Sequence, residues 1–232
     1  PPDLDLSQAL NGITIARIPA TTTTTFENVY TSTGRHQVVH TVARMITPEV
    51  LPADWRGAII HLGPVARECD PALASAFTDA FIGLTPQGWM RCWDASGRVS
   101  RCRWEGAEAL LARADAVVLS EEDVGGDMAL VARYAAQTRL LVVTQGAAGC
   151  TVHTDGQSRH FPAPTVREVD PTGSGDVFAA AFFVWLYRRS DPWEAARFAN
   201  CVAARSVTRR GLDGTPTAEE IVRCEQDVKR DS

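Results

Sequence analysis

The residues best equipped for chemistry lie together in Asp170-Pro171-Thr172-Gly173-Ser174-Gly175-Asp176, which runs directly into the apolar stretch from Val177 to Leu186. Gly173 and Gly175 permit a tight turn and let a ligand approach the backbone with no Cβ in the way. The first turn of the helix predicted to follow offers unpaired N–H groups and a positive dipole end to an anion. Asp176 is the odd residue. A carboxylate facing a phosphate is repelled, so an acid here takes a hydroxyl proton, serves a metal, or caps the helix. The same spacing also fits a plain turn, with Thr172 or Asp170 as an ordinary N-cap.

The elements that must position this segment follow from periodicity. From Gly57 onward, continuous apolar runs read as strands covered on both faces: Ala58 to Leu62, Ala80 to Leu84, Ala116 to Leu119 and Leu140 to Thr144. Helical segments alternate with them, starting at Asp70-Pro71, and covering Glu108 to Ala114 and Asp127 to Gln137. That order predicts an α/β fold with a mostly parallel sheet. The C-terminal third is helical: Phe178, Ala181, Phe182 and Trp185 share one face of the helix that Gly173-Ser174-Gly175 opens. Asp191-Pro192-Trp193-Glu194 and Thr217-Ala218-Glu219-Glu220 carry the start signals of two more helices. Before residue 46, the β-prone runs around Thr33-Gly34-Arg35 read as a hairpin. The tryptophans from Trp89 to Trp104 read as core or subunit packing rather than a stacking surface.

Composition excludes several classes. A chain of 232 residues, 45% hydrophobic and 22% charged, is long enough to bury a substantial core. The formal charge of −5 and the pairing of basic residues only at helix ends argue against a nucleic-acid surface. No apolar run approaches a bilayer span, so no membrane partner is expected. Six cysteines scattered without a Cys-x-x-Cys pair read as reduced thiols of a cytoplasmic protein, and none of the five histidines stands in a catalytic signature.

The segment 170–176 resembles the Asp-Thr-x-Gly-Ala-Gly-Asp signature of the ribokinase-like (PfkB) carbohydrate kinases, which the same Phe/Ala-rich helix follows. Two further motifs agree in order: Val143-Thr144-Gln145-Gly146-Ala147-Ala148-Gly149 is similar to the family's Thr-x-Gly-x-x-Gly turn, and Ser120-Glu121-Glu122-Asp123 stands at its Asn-x-x-Glu position. Phe198-Ala199-Asn200 resembles the helix bordering adenine. The resemblance covers roughly residues 55 to 215 and implies a ribokinase-like doubly wound core, ATP as donor and Mg²⁺. It also implies a small hydroxylated acceptor: a sugar, cyclitol or nucleoside. Carried over by position, Asp176 is the catalytic base, and Gly173, Ser174 and Gly175 form the anion hole. Thr144, Gly146, Gly149, Thr172, Ser120 and Asn200 line the nucleotide side, and Asp123 serves the metal. The hairpin at 21–42 corresponds to the family's lid and dimer interface, with an edge meander of the main sheet as the rival reading. A core over 46–232 and a β-rich segment over 1–45 are expected.

Two departures qualify the match. Ser120 and Asp123 replace the family's Asn and Glu, and an acid shorter by one methylene reaches Mg²⁺ differently. The chain opens Pro1-Pro2 and lacks the family's N-terminal Asp strand and Gly-Gly acceptor motif, so that acceptor-reading part is expected to be missing. A non-catalytic nucleotide- or sugar-phosphate-binding regulator is therefore the second reading. A hydrolase is the third, disfavoured because no Gly-x-Ser-x-Gly elbow accompanies suitable partners.

Overall fold

The alternating apolar and helical segments form one central sheet with helices on both faces. The computed structural model describes residues 10, 12–31 and 34–230; Pro1, Pro2 and Thr33 lie outside the described residues. In chain order the strands and helices are β1 (Thr25–Thr31), β2 (Gly34–Thr41), β3 (Ile59–Leu62), α1 (Leu73–Ala76), β4 (Phe81–Leu84), β5 (Arg91–Trp93), β6 (Val99–Arg101), α2 (Ala107–Arg113), β7 (Ala116–Ser120), α3 (Glu121–Val124), α4 (Met128–Ala135), β8 (Leu140–Thr144), β9 (Cys150–Thr154), β10 (Gln157–Phe161), α5 (Ser174–Arg189), α6 (Pro192–Ser206) and α7 (Ala218–Arg230).

The main sheet has the order β10-β9-β8-β7-β4-β3. Strands β3, β4, β7 and β8 are parallel, each within one residue of its expected span, whereas β9 and β10 add an antiparallel edge. Alternating side chains serve two cores. Val117, Leu119, Leu141 and Val143 pack with Leu110 and Leu111 of α2 and Val131 of α4. Val118, Val142 and Val152 pack with Phe178 and Phe182 of α5 and Phe198 of α6. Burial on both faces is why these strands read as unbroken apolar runs. Trp89 and Trp104 are buried and stacked, with 5.7 Å between ring centroids, as core residues.

Local signals set the helix starts. Asp191 Oδ1 accepts the N–H groups of Trp193 and Glu194, with Pro192 at the first position of α6. Thr217 and Glu220 exchange side-chain and backbone hydrogen bonds at the start of α7.

The N-terminal hairpin forms its own two-stranded sheet and is no extension of the main one, which removes the edge-meander alternative. It docks on the β5–β6 ribbon: Val39 donates to the carbonyl of Gly97 at 2.8 Å, and the Arg91 guanidinium lies 5.3 Å from the Phe26 ring centroid.

The expectation of six reduced thiols is corrected for four of them. Cys92 is joined to Cys102 and Cys201 to Cys224, with Cα–Cα distances of 5.7 Å in both pairs; Cys69 and Cys150 are free. The first bond staples the β5–β6 ribbon and the second ties α6 to α7. Spacing within the sequence carries no sign of either pair, because the partners meet only through strand pairing and helix packing. No helix among the described residues is long and apolar enough to cross a membrane.

Candidate active site

Helix α5 starts at Ser174, with Gly173 before it in the left-handed region at φ 80°. No side chain caps this end. Asp170 instead accepts the N–H of Thr172 through Oδ1 and the N–H of Gly211 through Oδ2, both at 3.0 Å, so neither Asp170 nor Thr172 is the N-cap. These bonds, that of Gly211 above all, hold the Asp170 carboxyl down to about 2. The N–H of Ser174 is donated to the carbonyl of Pro171 at 3.1 Å, while the first bond back into the helix runs from Val177 to Gly173. The amides of Gly175 and Asp176 fall in the first turn, where a helix supplies no internal acceptor. A Cβ built at Gly175 meets nothing within 4 Å. The protein itself therefore does not demand glycine there.

A cavity of about 250 Å³ opens beside this helix start. Pro171, Ser174, Gly175 and Phe178 form one wall. Thr144, Gly146, Ala147 and Gly149, following β8, form a second, and Asn200, Ala203, Ala204 and Val207 of α6 and its end form a third. The linker after β10 closes it with Ala163, Pro164, Thr165, Val166 and Glu168. Five of the expected nucleotide-side and anion-hole residues, Thr144, Gly146, Gly149, Ser174 and Gly175, thus meet Asn200 around one cavity. The linker residues and Ala203, Ala204 and Val207 were missed by sequence reasoning. The alanines read as close helix packing, and the Pro162-Ala163-Pro164 break after an apolar strand was the available signal.

The two glycines after β8 differ in kind. Gly149 has φ 100°, and a Cβ there would be driven into the carbonyl of Phe161, so the local chain crossing requires glycine. Gly146, at φ 56°, has open space around it. Asn200 is buried and donates its amide to the carbonyls of Phe161 at 2.9 Å and Pro162 at 3.4 Å. It fastens α6 to the end of β10 and shapes the cavity from behind.

Gly173, Thr172, Asp176, Ser120 and Asp123 lie outside the cavity wall. Asp176 is exposed in the first turn of α5. Its charge reaches the imidazole of His61 on β3, whose pKa is lowered first by the desolvating protein around it and raised in part by Asp176. His61 as a residue is exposed, while its ring packs edge-on against Phe183 of α5. Ser120 and Asp123 form a capping box on α3: Asp123 Oδ2 accepts from Ser120 N at 2.8 Å, and Ser120 Oγ accepts from Asp123 N. Asp123 Oδ1 also accepts from Gln87 Nε2 at 3.2 Å. Among the described residues no group of three His, Cys, Asp or Glu side chains converges to hold a metal. A magnesium ion arriving with phosphates keeps several waters and needs only one or two carboxylates. Both Asp123 oxygens already accept protein hydrogen bonds, so the residue would have to share one of them with the ion.

A mixed sheet between two helical layers, with a glycine-opened helix start lining a cavity, defines an α/β protein of the doubly wound kind. The chain belongs to the pfkB family carbohydrate kinases, whose model matches residues 103–218, half of its length. It is 29% identical over 203 residues to a fructokinase of Klebsiella pneumoniae, covering 77% of this chain and 64% of that protein. To a fructokinase of Escherichia coli it is 32% identical over 193 residues, covering 72% and 61% respectively. The chain thus spans somewhat under two thirds of these relatives' length. The fold matches that of a pyrophosphate-dependent kinase in the ribokinase family with a TM-score of 0.72, at 21% identity over 88% of this chain and 75% of that one.

Proposed function

We propose that this chain carries the catalytic core of an ATP-dependent kinase that transfers the γ-phosphoryl group to a hydroxyl of a small sugar-like, cyclitol or nucleoside acceptor. The observation that carries this reading is that one cavity is lined both by Ser174 and Gly175 at the uncapped start of α5 and by the apolar side chains of Ala147, Val166, Ala203 and Val207. A phosphate tail lies at the amide end, and the base of the nucleotide fills the apolar part. A pyrophosphate donor, on which the structural relative depends, has no use for such a recess, which favours ATP here.

In this reading Asp176 accepts the acceptor's hydroxyl proton as the oxygen attacks phosphorus and the bond to the leaving ADP oxygen breaks. Phosphoryl transfer of this kind is largely dissociative, so a carboxylate of ordinary basicity suffices and positioning carries most of the rate. The amides of Gly175 and Asp176, with that of Gly173, stabilise the charge on the migrating group. Ser174 contributes through its hydroxyl, its own N–H being engaged by Pro171. Asp123 and Ser120 stand on the magnesium side, where the ion would neutralise phosphate charge. The hairpin β1–β2 serves as lid over the acceptor side and as the surface of a homodimer, an arrangement that excludes water from the reacting phosphate.

The test is ADP release over a panel of sugars, cyclitols and nucleosides, with Asp176→Asn expected to lower kcat by roughly 10²–10⁴-fold. Equal turnover in that variant refutes the assignment. A non-catalytic binder of the same fold is the second reading, favoured by the engagement of both Asp123 oxygens. It predicts nucleotide binding by calorimetry with no turnover.

A further inference from the structure

On the Asp176 side of α5 stands a polar pair to which phosphoryl transfer assigns no task. His61 is the third residue of β3, the edge strand of the sheet, opposite Gly83 of β4. Its Nε2 lies 2.9 Å from Thr85 Oγ1. Its ring meets Phe183 edge-on, with 5.1 Å between centroids. Phe183 follows Asp176 by about two turns of α5, so the two share a helix face. Ala180 lies between them and is exposed, offering only a methyl group. His61 and Thr85 therefore stand on the sheet face that α5 covers, and Asp176 lies on the same face of α5 as the Phe183 ring that His61 meets.

The chemistry of the pair is that of an uncharged hydroxyl-binding group. Desolvation pulls the imidazole below its ordinary pKa against the partial opposition of Asp176, which favours the neutral ring. A neutral imidazole coupled to a hydroxyl both donates and accepts hydrogen bonds. It brings no positive charge with which to hold a phosphate or carboxylate. Gly63, at the end of β3, keeps the space around the pair clear: a Cβ there would sit 2.9 Å from Thr85 Oγ1 and 3.5 Å from His61 Nε2.

We propose that the His61–Thr85 pair binds the acceptor, holding a hydroxyl beside the one that Asp176 deprotonates, and that the acceptor is an uncharged polyhydroxylated molecule rather than a sugar phosphate or sugar acid. This inference rests on the kinase reading above. Its test has a binding arm and a kinetic arm, both on the whole chain. In the first, the imidazole C–H resonance of His61 is assigned by its loss in His61→Gln and followed by NMR. Asp176→Asn should lower the His61 pKa, since it removes the charge that raises it, and fructose, ribose or myo-inositol should shift the resonance in a saturable way. In the second, His61→Gln and Thr85→Val should each raise the acceptor KM about 10-fold while the ATP KM and Tm stay near wild type. Gly63→Ala, which needs no unusual backbone conformation, should do likewise and carries the test if His61→Gln does not fold. Unchanged acceptor KM in folded Thr85→Val and Gly63→Ala overturns the proposal, as does a His61 resonance that responds to sugar phosphates but to no neutral polyol. An inactive wild-type chain would sink the kinase reading, while the NMR arm would still decide whether the pair binds a polyol.

Discussion

Asp170 Oδ2 accepts the N–H of Gly211 at 3.0 Å, joining the loop that precedes α5 to the loop that follows α6. Through Oδ1 the same carboxylate holds Thr172, so one ionised side chain fixes the approach to the helix start from two directions. The folded-state pKa of about 2 lies below the ordinary aspartate value near 4. A depressed carboxylate contributes stability that is present above the unfolded pKa and lost as pH falls through the folded one. The Tm difference between wild type and Asp170→Asn should therefore be constant from about pH 5 to 7 and shrink between about pH 4 and 2. A difference that persists unchanged at pH 2 would contradict this assignment.

Gly175→Ala should separate stability from activity. The residue has helical backbone, and its Cβ meets no protein atom within 4 Å, so alanine should hold or raise stability by about 0.5–1 kcal/mol. The methyl group would project from a wall of the cavity proposed to hold the nucleotide phosphates, and turnover should fall about 10-fold or more. Thermal unfolding alongside ADP release reads both effects.

Asn200→Ala should loosen the seam between α6 and β10. Removing the amide leaves the Phe161 and Pro162 carbonyls without this buried donor, a loss of about 1–3 kcal/mol. Roughly 2–4 °C per kcal/mol is expected for a chain of this size. The nucleotide KM should rise with it, because the displaced linker is a wall of the cavity. A normal KM with lowered Tm would confine Asn200 to a purely structural role.

Reduction should weaken the α6–α7 tie. The Cys201–Cys224 bond closes a 23-residue separation, and its loss in Cys224→Ser should cost roughly 2–4 kcal/mol. Differential alkylation with and without reductant, followed by peptide mass mapping, should show Cys69 and Cys150 blocked first under denaturing, non-reducing conditions. Alkylation of all six cysteines without reductant would argue against both bonds.

The parts legible in the sequence share a cause. Strands β3, β4, β7 and β8 lie within one residue of their apolar runs because burial on both faces imposes one composition over the whole strand. The starts of α6 and α7 were readable because a cap and its partner lie within three residues. By contrast, the β9–β10 edge is solvated along β10, and its mixed side chains carry no strong period. Ser120 and Asp123 lie three residues apart, so their mutual capping bonds are local, whereas the contact of Asp123 to Gln87 joins residues far apart in the chain.

Sequence alone determined the α/β class, the family resemblance and the glycine-rich helix start beside Asp176, since each depends on residues adjacent or nearly adjacent along the chain. Only the tertiary structure decided which distant groups meet. It set Asn200 against Phe161, joined Cys201 to Cys224, and brought His61 together with Thr85 and Phe183. Those relationships arise from strand order and helix packing, and spacing along the chain does not encode them.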